Sequence, residues 1–251
     1  MADSVVSEAP EYEKKPFKLN GDELSLWTSR KLFLPNAATR KFAEAIQKVS
    51  GVVLDIGTGV APLAIYAARH GAQEVHAVDI VEEHIKLAKM NVEEHGLVGK
   101  VMLYWGSCFA PLYGLKKKAD HIIADISGIA RKLGVALGWY NDLVPAGGED
   151  GTEKIIKVLE EAPDYLAEGG KLHFPIAIDL SDGKKIMDAA LRNFNSIVPA
   201  FEKAIRFFLS EDEVRKLQDV YNGILPPYIN IGQQNTRYFW TGQIYAASNP
   251  K

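Results

Sequence analysis

At 251 residues, with 47% hydrophobic and 24% charged side chains, the chain has the composition of one soluble globular domain with a modest elaboration. Its single cysteine, Cys108, excludes an intramolecular disulfide. With no apolar run of about 18 residues and no signal-peptide pattern, the sequence predicts a cytoplasmic protein without a membrane partner. A net charge of −3 and a pI near 6.1 argue against the concentrated basic surface that nucleic-acid binding demands, so no nucleic-acid partner is expected.

Residues 1 to about 20 are polar and predict a loose arm. The pattern then turns helical from Leu24 to Val49, interrupted at Pro35, with Asn36 as a helix cap. From residue 51 an alternation begins. Val52-Val53-Leu54 reads as a buried strand before a glycine-rich turn, residues 61–70 as a helix, 75–78 as a second strand and 81–95 as a second helix. Strands follow at 101–104 and 121–124, then a helix at 155–166, a strand at 172–176 and a helix at 184–194 with Ser181 as its cap. Residues 196–209 are β-rich, 211–221 form a short charged helix, and the aromatic run 238–245 suits an antiparallel edge strand. Strand-then-helix repetition predicts a doubly wound α/β fold: a mostly parallel seven-stranded sheet with helices on both faces and the last strand antiparallel. Residues 1–50 read as an arm and helical cover, and 51–251 as the main domain with a helical insertion near 211–221.

The chemistry centres on Asp55-Ile56-Gly57-Thr58-Gly59, two glycines between a buried strand and a helix. In a doubly wound sheet this turn lies where ligands bind, and glycine lets the backbone approach them closely. Asp79, at the end of the second strand, can accept the hydroxyl hydrogens of an adenosine ribose. A dinucleotide loop would carry a third glycine where this chain has Pro62, which has no N–H to offer a pyrophosphate. Asp55 would repel a pyrophosphate, yet it suits a ligand carrying an ammonium and a sulfonium. The histidines show no zinc spacing, so no metal is implied, and no Gly-x-Ser-x-Gly elbow supports a hydrolase.

These residues resemble the class I S-adenosylmethionine-dependent methyltransferases, whose first motif is an acidic-x-Gly-x-Gly sequence. The resemblance implies S-adenosylmethionine as cofactor and a Rossmann-like strand order of 3-2-1-4-5-7-6. It implies that Asp55, Ile56, Gly57, Thr58 and Gly59 surround the methionine part, that Asp79 binds the ribose and Ile80 packs on the adenine, and that Ser107 and Cys108 meet the adenine amino group. Family members often carry Asp at or near the position of Ser107.

A narrower resemblance covers residues 31 to about 176. The order Gly106 to Leu112, Ala119 to Asp125, Gly147-Gly148-Glu149-Asp150-Gly151, Ala162-Pro163 and Gly169-Gly170, with Leu34-Pro35-Asn36-Ala37-Ala38-Thr39 before it, is similar to the release-factor N5-glutamine methyltransferase group. Those enzymes carry Asn-Pro-Pro-Tyr after strand four, where this chain has Asp125-Ile126-Ser127-Gly128. The change predicts a kept scaffold and a changed acceptor.

Asp125 is the candidate catalytic residue and a candidate cofactor contact, facing the cofactor methyl and accepting a hydrogen bond from the substrate nucleophile; the other reading makes it a helix cap. Trp27, Phe33, Trp139, Tyr140, Phe174 and Tyr228 are candidate substrate-binding aromatics, or core. The leading expectation is methyl transfer to a small-molecule substrate, at nitrogen. The alternatives are a protein (glutamine-type) methyltransferase and a non-catalytic S-adenosylmethionine-binding protein.

Overall fold

The computed structural model describes residues 12–141 and 146–251. Residues 1–11, most of the expected loose arm, lie outside these. The rest of that arm, and the first part of the expected helix at 24–49, form a hairpin instead. Strands β1 (Glu13–Leu19) and β2 (Asp22–Thr28) pair antiparallel around Asn20-Gly21. Both turn residues have positive φ, 40° and 95°, as a two-residue hairpin turn requires, and Asn-Gly supplies that turn with little steric cost. Alternation then decides which face is buried: Phe17, Leu19, Leu24 and Leu26 point into the core. The period of two in residues 22–28 is that of a strand, not of the helix expected from Leu24.

After Pro35, helix α1 (Ala37–Ala45) starts at Asn36, whose side chain accepts from Ala38 N while Thr39 closes a capping box. The alternating core follows as β3 (Gly51–Ile56), α2 (Pro62–Arg69), β4 (Ala72–Asp79), α3 (Glu82–Glu94), β5 (Val101–Trp105) and β6 (Ala119–Ala124). Next come α4 (Arg131–Ala136), α5 (Glu153–Glu161), β7 (Leu166–Ile176) and α6 (Gly183–Asn193). Helix α5 ends at Glu161, five residues before its expected boundary at Leu166, as Ala162-Pro163 tighten into a 3-10 turn. The cap of α6 is Asp182, accepting from Lys185 N, while Ser181 donates to Ala177 O instead.

The remaining elements are β8 (Phe194–Pro199), β9 (Ile205–Leu209), α7 (Glu211–Val220), β10 (Gly232–Gln234) and β11 (Arg237–Pro250). Strands β5-β4-β3-β6-β7 are parallel neighbours, and β11 adds antiparallel to β7. With β8 beyond β11, the order is the one the class resemblance implies. The described sheet has nine strands rather than seven because β11 is 14 residues long and pairs twice. Its second half lies between β7 and β8, and its first half between β9 and β10. The expected β-rich stretch 196–209 is thus two strands, broken by residues 200–204.

Parallel strands need crossovers, and these place α2 and α3 on one face and α5 and α6 on the other. Each face is a separate apolar cluster, the first joined by the hairpin and α1. The alternation of strand residues divides them: Val53 and Ile123 face one cluster, while Leu54 and Ile122 face the other. All five parallel strands end at the same edge, at Ile56, Asp79, Trp105, Ala124 and Ile176. Among the described residues no helix is long and apolar enough to cross a membrane.

Candidate functional site

The turn after β3 folds back across its neighbour: Gly57 N and Thr58 N both donate to Val78 O, at 2.8 and 2.9 Å. Gly57, at φ 80°, lies so close to the end of β6 that a Cβ would sit 2.5 Å from Ile126 Cγ2. Gly59, at φ 55°, has no atom within 4 Å of where its Cβ would be. That open space belongs to a cavity of about 630 Å³ at the carboxyl edge of the sheet. The ligand would thus meet bare backbone.

Three carboxylates meet at this edge. Asp79 Oδ2 accepts from Gly59 N at 2.8 Å, which ties the end of β4 to the glycine turn. Its Oδ1 accepts from Val81 N at 2.8 Å and lies 3.1 Å from His84 Nδ1. Asp55 is fully buried; Oδ2 accepts from Thr58 Oγ1 at 2.6 Å and Oδ1 has no partner among the described residues. Burial, with the nearby Asp125 and Asp79 charges, pushes its carboxyl up to about 7 against the opposing Thr58 hydrogen bond. Asp125, at the end of β6, accepts from Thr39 Oγ1 at 2.8 Å, and burial raises its carboxyl to about 6. The capping alternative for Asp125 falls away, since α4 begins only at Arg131 with Ala130 as its cap.

The cavity brings together Gly57, Gly59, Asp79, Ile80, Ser107, Cys108 and Asp125 with Phe33, Trp139 and Tyr140. Phe33 stacks on Tyr140 at 5.8 Å. The other expected residues lie elsewhere. Asp55, Ile56 and Thr58 back the turn without lining the cavity; Ile56 points into the core because the strand alternation sends it there. Trp27 sits on the hairpin, its amide bonded to Asn91 and its indole to Glu94 on α3. Phe174 is fully buried against Tyr245, on the α5–α6 side of the sheet. Tyr228 packs on the other cluster, outside the cavity lining.

Sequence reasoning missed Thr39, His84, Phe207 and Trp240, all of them beside the ligand space or bonded to its walls. Phe207 stacks on Trp240 at 4.2 Å, and Trp240 meets Trp139 at 6.4 Å. These two arrive from β9 and β11, far along the chain, and only the long pairing of β11 carries them to the cavity. Thr39 ends the 34–39 segment that carries the resemblance, but its partner lies 86 residues on.

Asp79 and Asp125 on the wall of a mostly apolar cavity, with Asp55 behind the glycine turn, suit a ligand that combines positive charge with a nucleoside. The orphaned Asp55 Oδ1 behind the turn and the open face of Gly59 fit the amino acid end of S-adenosylmethionine, and the Asp79 edge fits its ribose. Among the described residues no three His, Cys, Asp or Glu side chains gather to hold a metal.

The family model described as "Ribosomal protein L11 methyltransferase (PrmA)" matches residues 39–143. A release factor glutamine methyltransferase of Thermosynechococcus vestitus is 27% identical over 181 residues, 67% of this chain and 62% of the relative. A ribosomal protein uL3 glutamine methyltransferase of Bradyrhizobium diazoefficiens is 35% identical over 144 residues, 55% of this chain and 43% of the relative. The chain therefore spans 43% to 62% of the length of these relatives. In fold it is similar to a Thermus thermophilus 16S rRNA N2 G1207 methyltransferase solved with AdoMet and guanosine, at a TM-score of 0.61 and 14% identity, covering 96% of this chain and 51% of that one.

These findings overturn the small-molecule partner expected from the sequence, and the exclusion of nucleic acid that accompanied it. The relatives named are enzymes of release factors and ribosomal proteins, and the fold neighbour is a 16S rRNA enzyme, so none of them acts on a metabolite. The error came from reading the lost Asn-Pro-Pro-Tyr as a change of substrate class. The matched segment, the strand order and the acid- and glycine-lined cavity agree on one conclusion: this chain belongs to the class I S-adenosylmethionine-dependent methyltransferases.

Proposed function

We propose that this chain methylates a nitrogen of a protein substrate, an amine in particular, with S-adenosylmethionine as donor. The observation that carries the reading is Asp125: a carboxylate at the end of β6, lining the cavity with Gly57 and Gly59, with Oδ2 taken by Thr39. The bound cofactor supplies a methyl group on a positively charged sulfur, open to in-line attack. Asp79 holds the ribose, Ile80 packs on the base, and Ser107 and Cys108 close the far end. Asp55 supports the turn from behind and favours positive charge in front of it.

An ionised Asp125 offers only acceptors. A neutral amine directs an N–H at the carboxylate and keeps its lone pair for the methyl carbon, and Asp125 can take the proton that the nitrogen gives up. A glutamine amide also needs a donor for its carbonyl oxygen, and a carboxylate has none to give. Holding a lone pair in line with the methyl carbon, away from water, is the main demand of this transfer. Phe33, Trp139, Tyr140, Phe207 and Trp240 form an aromatic wall suited to an aliphatic stem ending in a cation. The hairpin and α1 act as cover over residues 51–251.

The named relatives favour a second reading, the glutamine amide. One experiment separates them. Tritiated S-adenosylmethionine is incubated with the enzyme and either a ribosomal and release-factor protein fraction or a metabolite extract, and labelled protein is mapped by mass spectrometry. Label on a lysine or an N-terminal amine supports the proposal, label on glutamine supports the second reading, and label in metabolites alone refutes both.

A further inference from the structure

His84 occupies a place that the cofactor contacts described so far do not use. It lies in the first turn of α3, 4% exposed, and lines the cavity beside Asp79 and Val81. Nδ1 faces Asp79 Oδ1 at 3.1 Å, while Nε2 is buried without a partner among the described residues. The other buried side chains of α3 are Leu87, Ala88, Asn91 and Val92, and Asn91 is fully bonded through Trp27 and Val60. An imidazole at this position is therefore not a packing residue with its polar atoms satisfied.

A carboxylate has about four lone-pair sites, two on each oxygen. Asp79 Oδ1 already serves Val81 N–H and His84, and Oδ2 serves Gly59 N–H. One acceptor site remains, on Oδ2. A ribose presents two vicinal hydroxyls, each with a hydrogen to place. Because Nδ1 faces a carboxylate it carries the ring hydrogen, which leaves Nε2 of the neutral ring as an acceptor.

We propose that His84 is a ribose-binding residue of this enzyme, its Nε2 accepting one of the two hydroxyl hydrogens of the adenosyl ribose while Asp79 Oδ2 accepts the other. The inference rests on S-adenosylmethionine binding at this cavity and adds a residue to its recognition. Asp79 and His84 then act as one unit, with the His84 N–H orienting the carboxylate and the far side of the ring completing the diol site.

The test is isothermal titration of S-adenosylhomocysteine and its 2′-deoxy and 3′-deoxy analogues against the wild type, His84→Phe and His84→Gln. The wild type is expected to lose affinity for both analogues. In His84→Phe, which keeps bulk without an acceptor, the natural ligand should weaken by roughly fivefold to tenfold. One deoxy analogue should then bind that variant as it binds the wild type, so its penalty disappears. An unchanged ribo-to-deoxy ratio in folded variants overturns the proposal and leaves His84 as a support for Asp79. Nitrogen-15 NMR of the wild type gives a second readout that needs no variant: the Nε2 resonance of His84 should move with S-adenosylhomocysteine and not with one of the analogues. Identical spectra with all three ligands would refute it. If the wild type bound none of them, the cofactor assignment itself would fail, which is a different result.

Discussion

Thr39 Oγ1 donates to Asp125 Oδ2 at 2.8 Å and at the same time accepts from Asn36 N at 3.3 Å. One hydroxyl thus caps α1 and fixes the orientation of the carboxylate, leaving Oδ1 for the acceptor. The hydrogen bond also favours the charged form of a group that burial has raised to about 6. Activity should accordingly rise with pH through about 6 as Asp125 ionises. Thr39→Val removes the hydrogen bond that lowers it, so the acid limb moves to higher pH and kcat/KM at neutral pH falls about tenfold or more, in line with roughly 1.5–3 kcal/mol for a hydrogen bond to a charged group. Thr39→Ser should retain the wild-type limb. A pH–rate profile of the three proteins decides it; superimposed acid limbs would remove Thr39 from the site.

Asp55 makes the ligand-free protein sensitive to pH in the opposite sense from an ordinary paired acid. Its folded value, about 7, lies above the usual 3.8, so between these limits the folded state holds a proton that the unfolded chain has lost. Stability from this group is therefore greatest at the acid end and declines as pH rises toward about 7. Asp55→Asn should abolish that decline and raise the ligand-free Tm at pH 8 by a few degrees, on the order of 1–3 kcal/mol. The same variant should bind S-adenosylmethionine more weakly. Thermal melts at pH 5 and pH 8, with and without ligand, measure both effects.

The two glycines of the turn should respond differently to alanine. At Gly57 a Cβ would meet Ile126 Cγ2 at 2.5 Å and Asp125 O at 3.0 Å. Gly57→Ala should cost about 2–3 kcal/mol of stability and shift Asp125 as well. At Gly59 nothing lies within 4 Å, so the cost to the free protein is the roughly 1 kcal/mol of a left-handed backbone. The new methyl instead occupies ligand space, and S-adenosylhomocysteine affinity should fall at least tenfold. Chemical denaturation and titration calorimetry, run on both variants, would show whether the losses separate in this way.

The aromatic wall makes a prediction about the acceptor. Trp240 bridges Phe207 and Trp139 and is remote in sequence from the cofactor turn. Trp240→Ala should raise KM for the protein substrate about tenfold or more, as loss of a buried aromatic contact does, with S-adenosylhomocysteine affinity changed less than twofold. A parallel loss of cofactor binding would place Trp240 on the cofactor side instead.

Much of this arrangement was legible along the chain because local rules settle it. A buried apolar triplet, two glycines and a helix identify the turn after β3, and an acid at the end of the next strand needs only the parallel order of β3 and β4 to join it. The hairpin was legible as well, in Asn20-Gly21 and the alternation either side, but the arm and helix readings passed over it. Trp27, Phe174 and Tyr228 show the limit of reading aromatic residues by type, since strand alternation and helix facing decide whether a ring meets ligand or core.

Residue pattern alone specified the strand-helix alternation and the acidic, glycine-lined cofactor edge, through short-range periodicity and turn chemistry, while the strand order was implied by the family resemblance. Only the tertiary structure decided which acid has which partner. Thr39 reaches Asp125 and His84 reaches Asp79 because separate elements end at one sheet edge, and Trp240 joins them because β11 is long enough to pair twice. Contacts of that kind depend on packing between distant segments, which no local pattern encodes.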